Sequence, residues 1–253
     1  MGTENVAPLL YSLARTTRAR RILEIGAGYS TPFLLRALLD NLDDFRCERD
    51  QLAEKTARYH AAARPSETPQ EILAALTHWE LQPPPLADPA YYREPFQPAL
   101  HSFDTAGSAL NMEKLLGAPA KILTLHHRDF AGASNQIDKA HLPFDLAWMD
   151  CGGLREYQNF LKEYWDLVSE NGGLIVLHYT LNNPWLAHIV KDLKLKQATT
   201  HFHNFELLSL LEPHKYRQNS CTIVRKISRC VDDFERATRP IRALSSDHEV
   251  GEI

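Results

Sequence analysis

Residues 21 to 31, Arg-Ile-Leu-Glu-Ile-Gly-Ala-Gly-Tyr-Ser-Thr, read as an apolar strand that carries an acid and runs through a glycine-x-glycine turn into a pair of hydroxyls. Such a segment dictates a strand, a tight turn and a helix within an α/β sheet, with a ligand-binding turn at the strand's carboxyl end. Gly26 and Gly28 are expected to take backbone angles closed to other residues and to let a ligand approach the main chain. Ser30 or Thr31 is expected to cap the helix and leave its first N–H groups facing an anion. A dinucleotide turn needs a third glycine three residues after the second, and here Thr31 stands there, followed by Pro32. A nicotinamide dinucleotide, and with it a dehydrogenase, is disfavoured.

Glu24-Ile25-Gly26-Ala27-Gly28, followed by Tyr29-Ser30-Thr31, resembles the first motif of class I S-adenosylmethionine-dependent methyltransferases, particularly the small-molecule O-methyltransferase-like branch. Further strand ends fall in the order that this resemblance requires. Phe144 to Asp150 is an apolar strand ending in an acid, and with Cys151-Gly152-Gly153 it resembles the family's fourth strand and its turn. Leu154 to Ser169 carries Tyr157, Phe160, Leu161, Tyr164, Trp165 and Val168 at helical spacing, and Asn171-Gly172-Gly173 stops it. Gly173 to Tyr179 reads as a buried fifth strand. Asn183-Pro184 opens another helix, expected through Val190. Phe205 to Leu211 and Ser220 to Ile227 match the family's final antiparallel pair. The resemblance covers residues 1 to 228 apart from one insertion. It implies an α/β, Rossmann-like methyltransferase fold with a mostly parallel seven-stranded sheet, and S-adenosylmethionine as cofactor. It also implies cofactor contacts from Glu24, Gly26, Ala27, Gly28, Tyr29 and Ser30.

A minimal unit of this kind places an acid for the ribose hydroxyls at the end of its second strand, about twenty residues beyond the glycine turn. Glu48 stands at that distance, yet Asp40 to Arg64 reads as a continued charged helix with no alternating pattern. Pro98 to Asp104 is the better second strand, with a helix expected over Ser108 to Leu116 and a third strand over Lys121 to Asp129. The ribose acid is therefore assigned to Asp104, with Glu48 as the alternative. It follows that residues 43 to 97 are a helical and loop insertion, whose Trp79, Tyr91, Tyr92 and Phe96 stand among prolines. The insertion either packs against the body or a second subunit of a homodimer, or closes as a lid that brings Tyr91 and Tyr92 to the substrate.

Methyl transfer from a sulfonium is an in-line displacement, in which the protein positions the acceptor and, where needed, takes its proton. In the cation-dependent branch of the family an acid after the fourth strand and an Asp-Asn pair after the fifth hold a divalent metal. Here those positions are Asp150 and His178-Tyr179, so the hard oxygen ligands that magnesium prefers are mostly missing and no metal is expected. His178 is then a candidate general base or a hydrogen-bonded structural histidine. Asp150 is expected to meet the cofactor's ammonium group or an amine of the substrate, or else to cap the next helix. Tyr179 orients the acceptor or is a core aromatic. Asp129-Phe130, after the third strand, resembles the family's adenine site. Neither His126-His127 nor His201-x-His203 makes a zinc pattern.

At 253 residues the chain suffices for one α/β domain with a full core, followed by a polar tail over residues 229 to 253. A net charge of −4 without an aromatic-laced basic cluster argues against nucleic acid as a partner. No stretch is apolar enough to span a bilayer, no leader is evident and the four cysteines show no CxxC spacing, so a cytoplasmic enzyme with reduced thiols is expected. The resulting expectation is methyl transfer to an oxygen or nitrogen of a small molecule. Two alternatives remain: use of the cofactor's aminobutyl chain, with release of methylthioadenosine, and a non-catalytic cofactor-binding interaction protein.

Overall fold

The computed structural model describes residues 2–62, 95–105, 122–199 and 205–227, the side chains of 53–62 and 199 excepted. Trp79, Tyr91, Tyr92, the helix expected over 108–116, His201, His203 and the tail lie outside the described residues. The chain divides into two compact units, residues 1–41 with 97–230, and residues 42–96 with 231–253. Among the described residues of the second unit, the rings of Phe45 and Phe96 meet with centroids 5.3 Å apart.

The first unit is built on a seven-stranded sheet, as expected. In chain order its elements are α1 (Val6–Thr16), β1 (Arg21–Ile25), α2 (Thr31–Ala62, which ends in the second unit), β2 (Ala99–Phe103), β3 (Leu123–His126) and β4 (Leu146–Met149). They continue with α3 (Leu154–Tyr164), β5 (Leu174–His178), α4 (Pro184–Thr199), β6 (Phe205–Leu211) and β7 (Ser220–Lys226). The strand order is β3-β2-β1-β4-β5-β7-β6. β1 to β5 run parallel, and β7 is antiparallel to both β5 and β6.

The near-continuous apolar strands follow from burial on both faces, since successive side chains point to opposite sides of a sheet. Leu100, Leu146, Trp148, Leu174 and Val176 face a cluster formed by Val6, Leu10 and Ala14 of α1 and Leu34, Leu35 and Leu38 of α2. Phe103, Ala147, Met149, Ile175 and Leu177 face Tyr157, Phe160 and Tyr164 of α3 and Leu186, Ile189 and Leu193 of α4. Val6, Leu10 and Ala14 recur every four residues, which puts them on one stripe of α1. Asn41, fully buried in α2, donates to the carbonyls of Ala14 and Ala19 and so ties the end of α1 to α2.

Two helices differ from the periodicity reading. α3 stops at Tyr164 instead of Ser169, and a 3-10 turn over Trp165–Leu167 follows. The reason is tertiary: Val168 makes a parallel bridge to Phe144, and Ser169 N–H donates to the Phe144 carbonyl, so this backbone belongs to the sheet. α4 runs nine residues past Val190 to Thr199. Leu193, 5 % exposed, keeps it on the core for another turn, after which the Lys-rich run supplies good helix formers. Asn183 caps α4 as expected, its Oδ1 accepting from Trp185 N–H at 3.0 Å.

Candidate functional site

The chain order reverses between β1 and β4, and ligands of open α/β sheets bind beyond the strand ends at such a switch point. A cleft of about 270 Å³ lies there, lined by Ile25, Gly26, Phe103, Asp104, Thr105, Arg128, Asp129, Phe130, Cys151, Gly152 and Glu156. A larger groove of about 400 Å³ between α3, α4 and β6 has neither a glycine turn nor an acid at a strand end.

Glu24 organises the turn from beneath. Its side chain is fully buried, with Ser30 Oγ donating to Oε1 at 2.6 Å and Thr31 Oγ1 and Ser102 Oγ donating to Oε2 at 2.8 and 2.6 Å. Burial pushes its carboxyl up to about 7 against the pull of these three hydroxyls, and the charge of Asp150 adds to the rise. Two expectations are corrected here. Glu24 and Ser30, 0 % and 2 % exposed, have no surface for a cofactor in this conformation and instead hold the turn. The hydroxyls of Ser30 and Thr31 serve Glu24 rather than capping helix N–H groups.

The turn is also not an anion cradle. Gly26 and Ala27 both donate to the Phe103 carbonyl, Gly28 donates to Thr31 Oγ1, Thr31 to the Gly28 carbonyl and Phe33 to the Ser30 carbonyl. Five N–H groups that a pyrophosphate would need are thus used inside the protein. The glycines divide the work. Gly26 has φ +98°, and a Cβ there would lie 2.7 Å from the Asp150 carbonyl oxygen. Gly28 has no such need of a glycine, but a Cβ there would meet nothing within 4 Å, so its place borders open space. Tyr29 is 52 % exposed and tilts against Phe33.

Asp104 follows the last residue of β2, and its N–H donates to the His126 carbonyl at 3.1 Å, so the main chain fixes it at the cleft's rim. Glu48 lies within α2. Asp129 Oδ1 accepts from Ala131 N–H at 2.9 Å, shaping the loop after β3. Phe130 lines the cleft yet is only 5 % exposed, with most of its ring in the core and its carbonyl accepting from Tyr164 Oη.

At the end of β4, Asp150 Oδ1 meets His178 Nδ1 at 2.5 Å. The Asp150 side chain is 26 % exposed and that of His178 only 2 %. His178 is thus a buried histidine hydrogen-bonded to Asp150, as in the second of the two roles its position suggests. Its Nε2 is buried without a hydrogen-bond partner among the described residues. Asp150 does not cap α3; that task falls to Glu156, whose Oε2 accepts from Gly153 N–H at 2.8 Å. Tyr157 Oη donates to the carbonyls of both Met149 and His178, at 3.2 and 2.9 Å, and so fixes the ends of β4 and β5 relative to each other. Tyr179 sits at φ +57°, a left-handed conformation that a tyrosine seldom adopts and that tends to mark functional sites. Among the described residues no set of three histidine, cysteine or acidic side chains is arranged to hold a metal.

Sequence reasoning passed over Arg128, Cys151, Glu156 and Ser102. Cys151 and Glu156 had a legible signal, standing directly in and after the Asp-Cys-Gly-Gly turn. Burial, with the charges of Asp150 and other acids, pushes the Cys151 thiol up to about 12, so it is an apolar wall of the cleft rather than a nucleophile.

No family model matches the sequence, and no curated protein matches it. Solved structures do resemble it. The O-methyltransferase TomG of Streptomyces achromogenes, in complex with S-adenosylmethionine, is 17 % identical over 88 % of this chain and 80 % of that one, with a TM-score of 0.54. An O-methyltransferase of Bacillus cereus in complex with S-adenosylhomocysteine is 15 % identical over 88 % and 81 %, also at 0.54. An S-adenosylhomocysteine-bound methyltransferase of Podospora anserina is 13 % identical over 90 % and 80 %, at 0.52. At such identities the likeness is one of fold: this chain has the Rossmann-like fold of these methyltransferases. No helix among the described residues is long and apolar enough to cross a membrane.

Proposed function

We propose that the protein is an S-adenosylmethionine-dependent methyltransferase acting on an oxygen or nitrogen of a small molecule. The observation that carries this reading is the closed glycine turn: its N–H groups are used internally, while Gly28 borders open space and Asp104 stands at the end of β2. A dinucleotide would need the N–H groups that are occupied; a nucleoside without a phosphate needs only room and a ribose acceptor. The cleft's residues fit such a group. Asp104 would accept from ribose hydroxyls, and Asp129 and Phe130 would meet the adenine. Asp150 would face the amino-acid end, and Gly26, Ala27, Gly28 and Tyr29 would border the turn. The bound cofactor supplies an electrophilic methyl on a sulfonium. The protein aligns the acceptor and receives its proton at Asp150, whose carboxylate is held by His178 from behind, while Tyr179 flanks the acceptor.

Calorimetry with S-adenosylhomocysteine tests the cofactor reading, with NAD as the comparison; micromolar binding of NAD alone would overturn it. Asp104→Ala should lose at least about tenfold in affinity, the equivalent of one good charged hydrogen bond. Glu48→Ala should bind as the wild type does, and the opposite pattern would move the ribose site. Product analysis distinguishes the two chemistries, since aminobutyl use releases methylthioadenosine and methyl transfer releases S-adenosylhomocysteine.

Metal independence is part of the same reading. A hard cation bonded at about 2.1 Å sets neighbouring ligand atoms roughly 3 Å apart. His178 Nδ1 and Asp150 Oδ1, 2.5 Å apart, are instead hydrogen-bonded to each other. Magnesium titrated into the chain should give no saturable heat and leave S-adenosylhomocysteine affinity unchanged after dialysis against EDTA. A magnesium-dependent gain in affinity that Asp150→Asn abolishes would make Asp150 a ligand.

A further inference from the structure

Three histidines from separate segments stand in a row next to the cleft. His101, in the middle of β2 and 3 % exposed, has its Nδ1 3.0 Å from Nε2 of His126, the last residue of β3. Its Nε2 lies 2.8 Å from Nδ1 of His141, which ends a 3-10 turn over Lys139–His141. The two nitrogens of His101 point to different neighbours, so the row does not converge on one point as metal ligands would.

Each nitrogen-to-nitrogen contact holds one proton. Three neutral imidazoles carry three ring N–H groups, enough to fill both contacts in either of two directions. One extra proton is still accommodated. Two are not: with His126 and His141 both charged, each presents an N–H to His101, whose own N–H must occupy one of its two nitrogens. One contact then breaks. The surroundings favour the neutral row. Burial holds His101 down to about 4, His126 and His141 add to this and Asp138 opposes it. Burial, then Arg128 and His127, hold His126 below its ordinary value. Lys139, on the turn that carries His141, is a further charge near that end.

His126 also supports residues that line the cleft from behind. Its ring stacks on Phe103 with centroids 4.2 Å apart and planes within 10°. Its carbonyl accepts from both Asp104 N–H and Arg128 N–H, at 3.1 and 2.9 Å. Phe103, Asp104 and Arg128 all line the cleft, so displacement of His126 moves three of its lining residues together.

We propose that the His101–His126–His141 row is a proton-binding site that, when it opens in mild acid, loosens the cleft's hold on the adenosine part of the cofactor. This rests on the cofactor reading above. Linkage makes the effect reciprocal: cofactor binding closes the row and expels protons.

The test is calorimetry of S-adenosylhomocysteine with the full chain, at about pH 7.5 and about pH 5.5, on either side of the ordinary histidine range, in buffers of different ionisation heat. Affinity should fall at least tenfold at the lower pH, with proton release on binding there. In His141→Gln the amide oxygen still accepts from His101 but cannot be charged, so affinity at the higher pH should be kept and the fall should flatten. Glu24 titrates in the same window from the opposite face of the sheet and is present in both chains, so their difference isolates the row. A flat wild type, or an equal fall and equal proton release in His141→Gln, would overturn the proposal. Nuclear magnetic resonance of the ligand-free chain gives an independent readout. The amides of Asp104 and Arg128 should follow the imidazole titration, and amides that stay fixed overturn the coupling. Absence of binding at both pH values would overturn the cofactor reading instead.

Discussion

Gly26→Val unfolds about 4 kcal/mol more easily than the wild type, the sum of a strained backbone and an over-packed contact. At φ +98° a β-branched residue has no comfortable conformation, and its Cβ would sit 2.7 Å from a main-chain oxygen at Asp150 that β4 holds in register. Gly28→Val is the opposite case. Nothing lies within 4 Å of its Cβ, so stability should stay within about 0.5 kcal/mol while S-adenosylhomocysteine binding is lost. Urea unfolding and calorimetry on the two variants separate these effects. Equal destabilisation, or a Gly28→Val chain that binds normally, would contradict the assignment of one glycine to the fold and the other to the ligand.

The second large effect is a slope in pH. Glu24 holds its proton up to about 7 in the fold, against an ordinary value of 4.5. Between these values the folded chain binds more protons than the unfolded one, so stability is fully present below about 4.5 and is lost as pH rises to 7, by about 3 kcal/mol in all. His101 slopes the other way. Its folded value near 4 lies below the ordinary 6.5, so its share of stability is present above 6.5 and lost as pH falls. The two partly cancel in the wild type. Glu24→Gln keeps an acceptor for the hydroxyls and removes the titration, so unfolding midpoints at pH 5, 6.5 and 8 should rise more steeply with pH in the variant. Parallel curves for the two chains would show that Glu24 stays ionised in the fold.

Much of the fold was legible because its signals are local. The apolar runs of β1, β4 and β5, the Asn183-Pro184 start of α4 and the long charged α2 all appear where periodicity puts them. The end of α3 was not legible, because the bridge from Val168 to Phe144 is a tertiary contact that no helical spacing encodes. At the site, the glycine turn could be read from spacing, and the place of Asp104 after β2 from the run that ends in it. What could not be read was direction: that Glu24 points inward onto Ser102, or that His178 turns to Asp150 rather than to the cleft. The histidine row was invisible for the same reason, since it joins residues 25 and 40 positions apart.

The buttress under the glycine turn has a consequence for how the chain folds. Two of Glu24's hydroxyls come from the turn itself, but the third, on Ser102, is 78 residues away and arrives only when β2 has paired with β1. The carbonyl that takes the Gly26 and Ala27 N–H groups, on Phe103, arrives with it. Closing so long a loop is entropically slow compared with forming α1 or α2. The binding turn is therefore a late product of folding, shaped only after the whole stretch between the first two strands has been accommodated. A nascent or truncated chain ending before residue 99 would carry the complete motif without the structure that makes it a site.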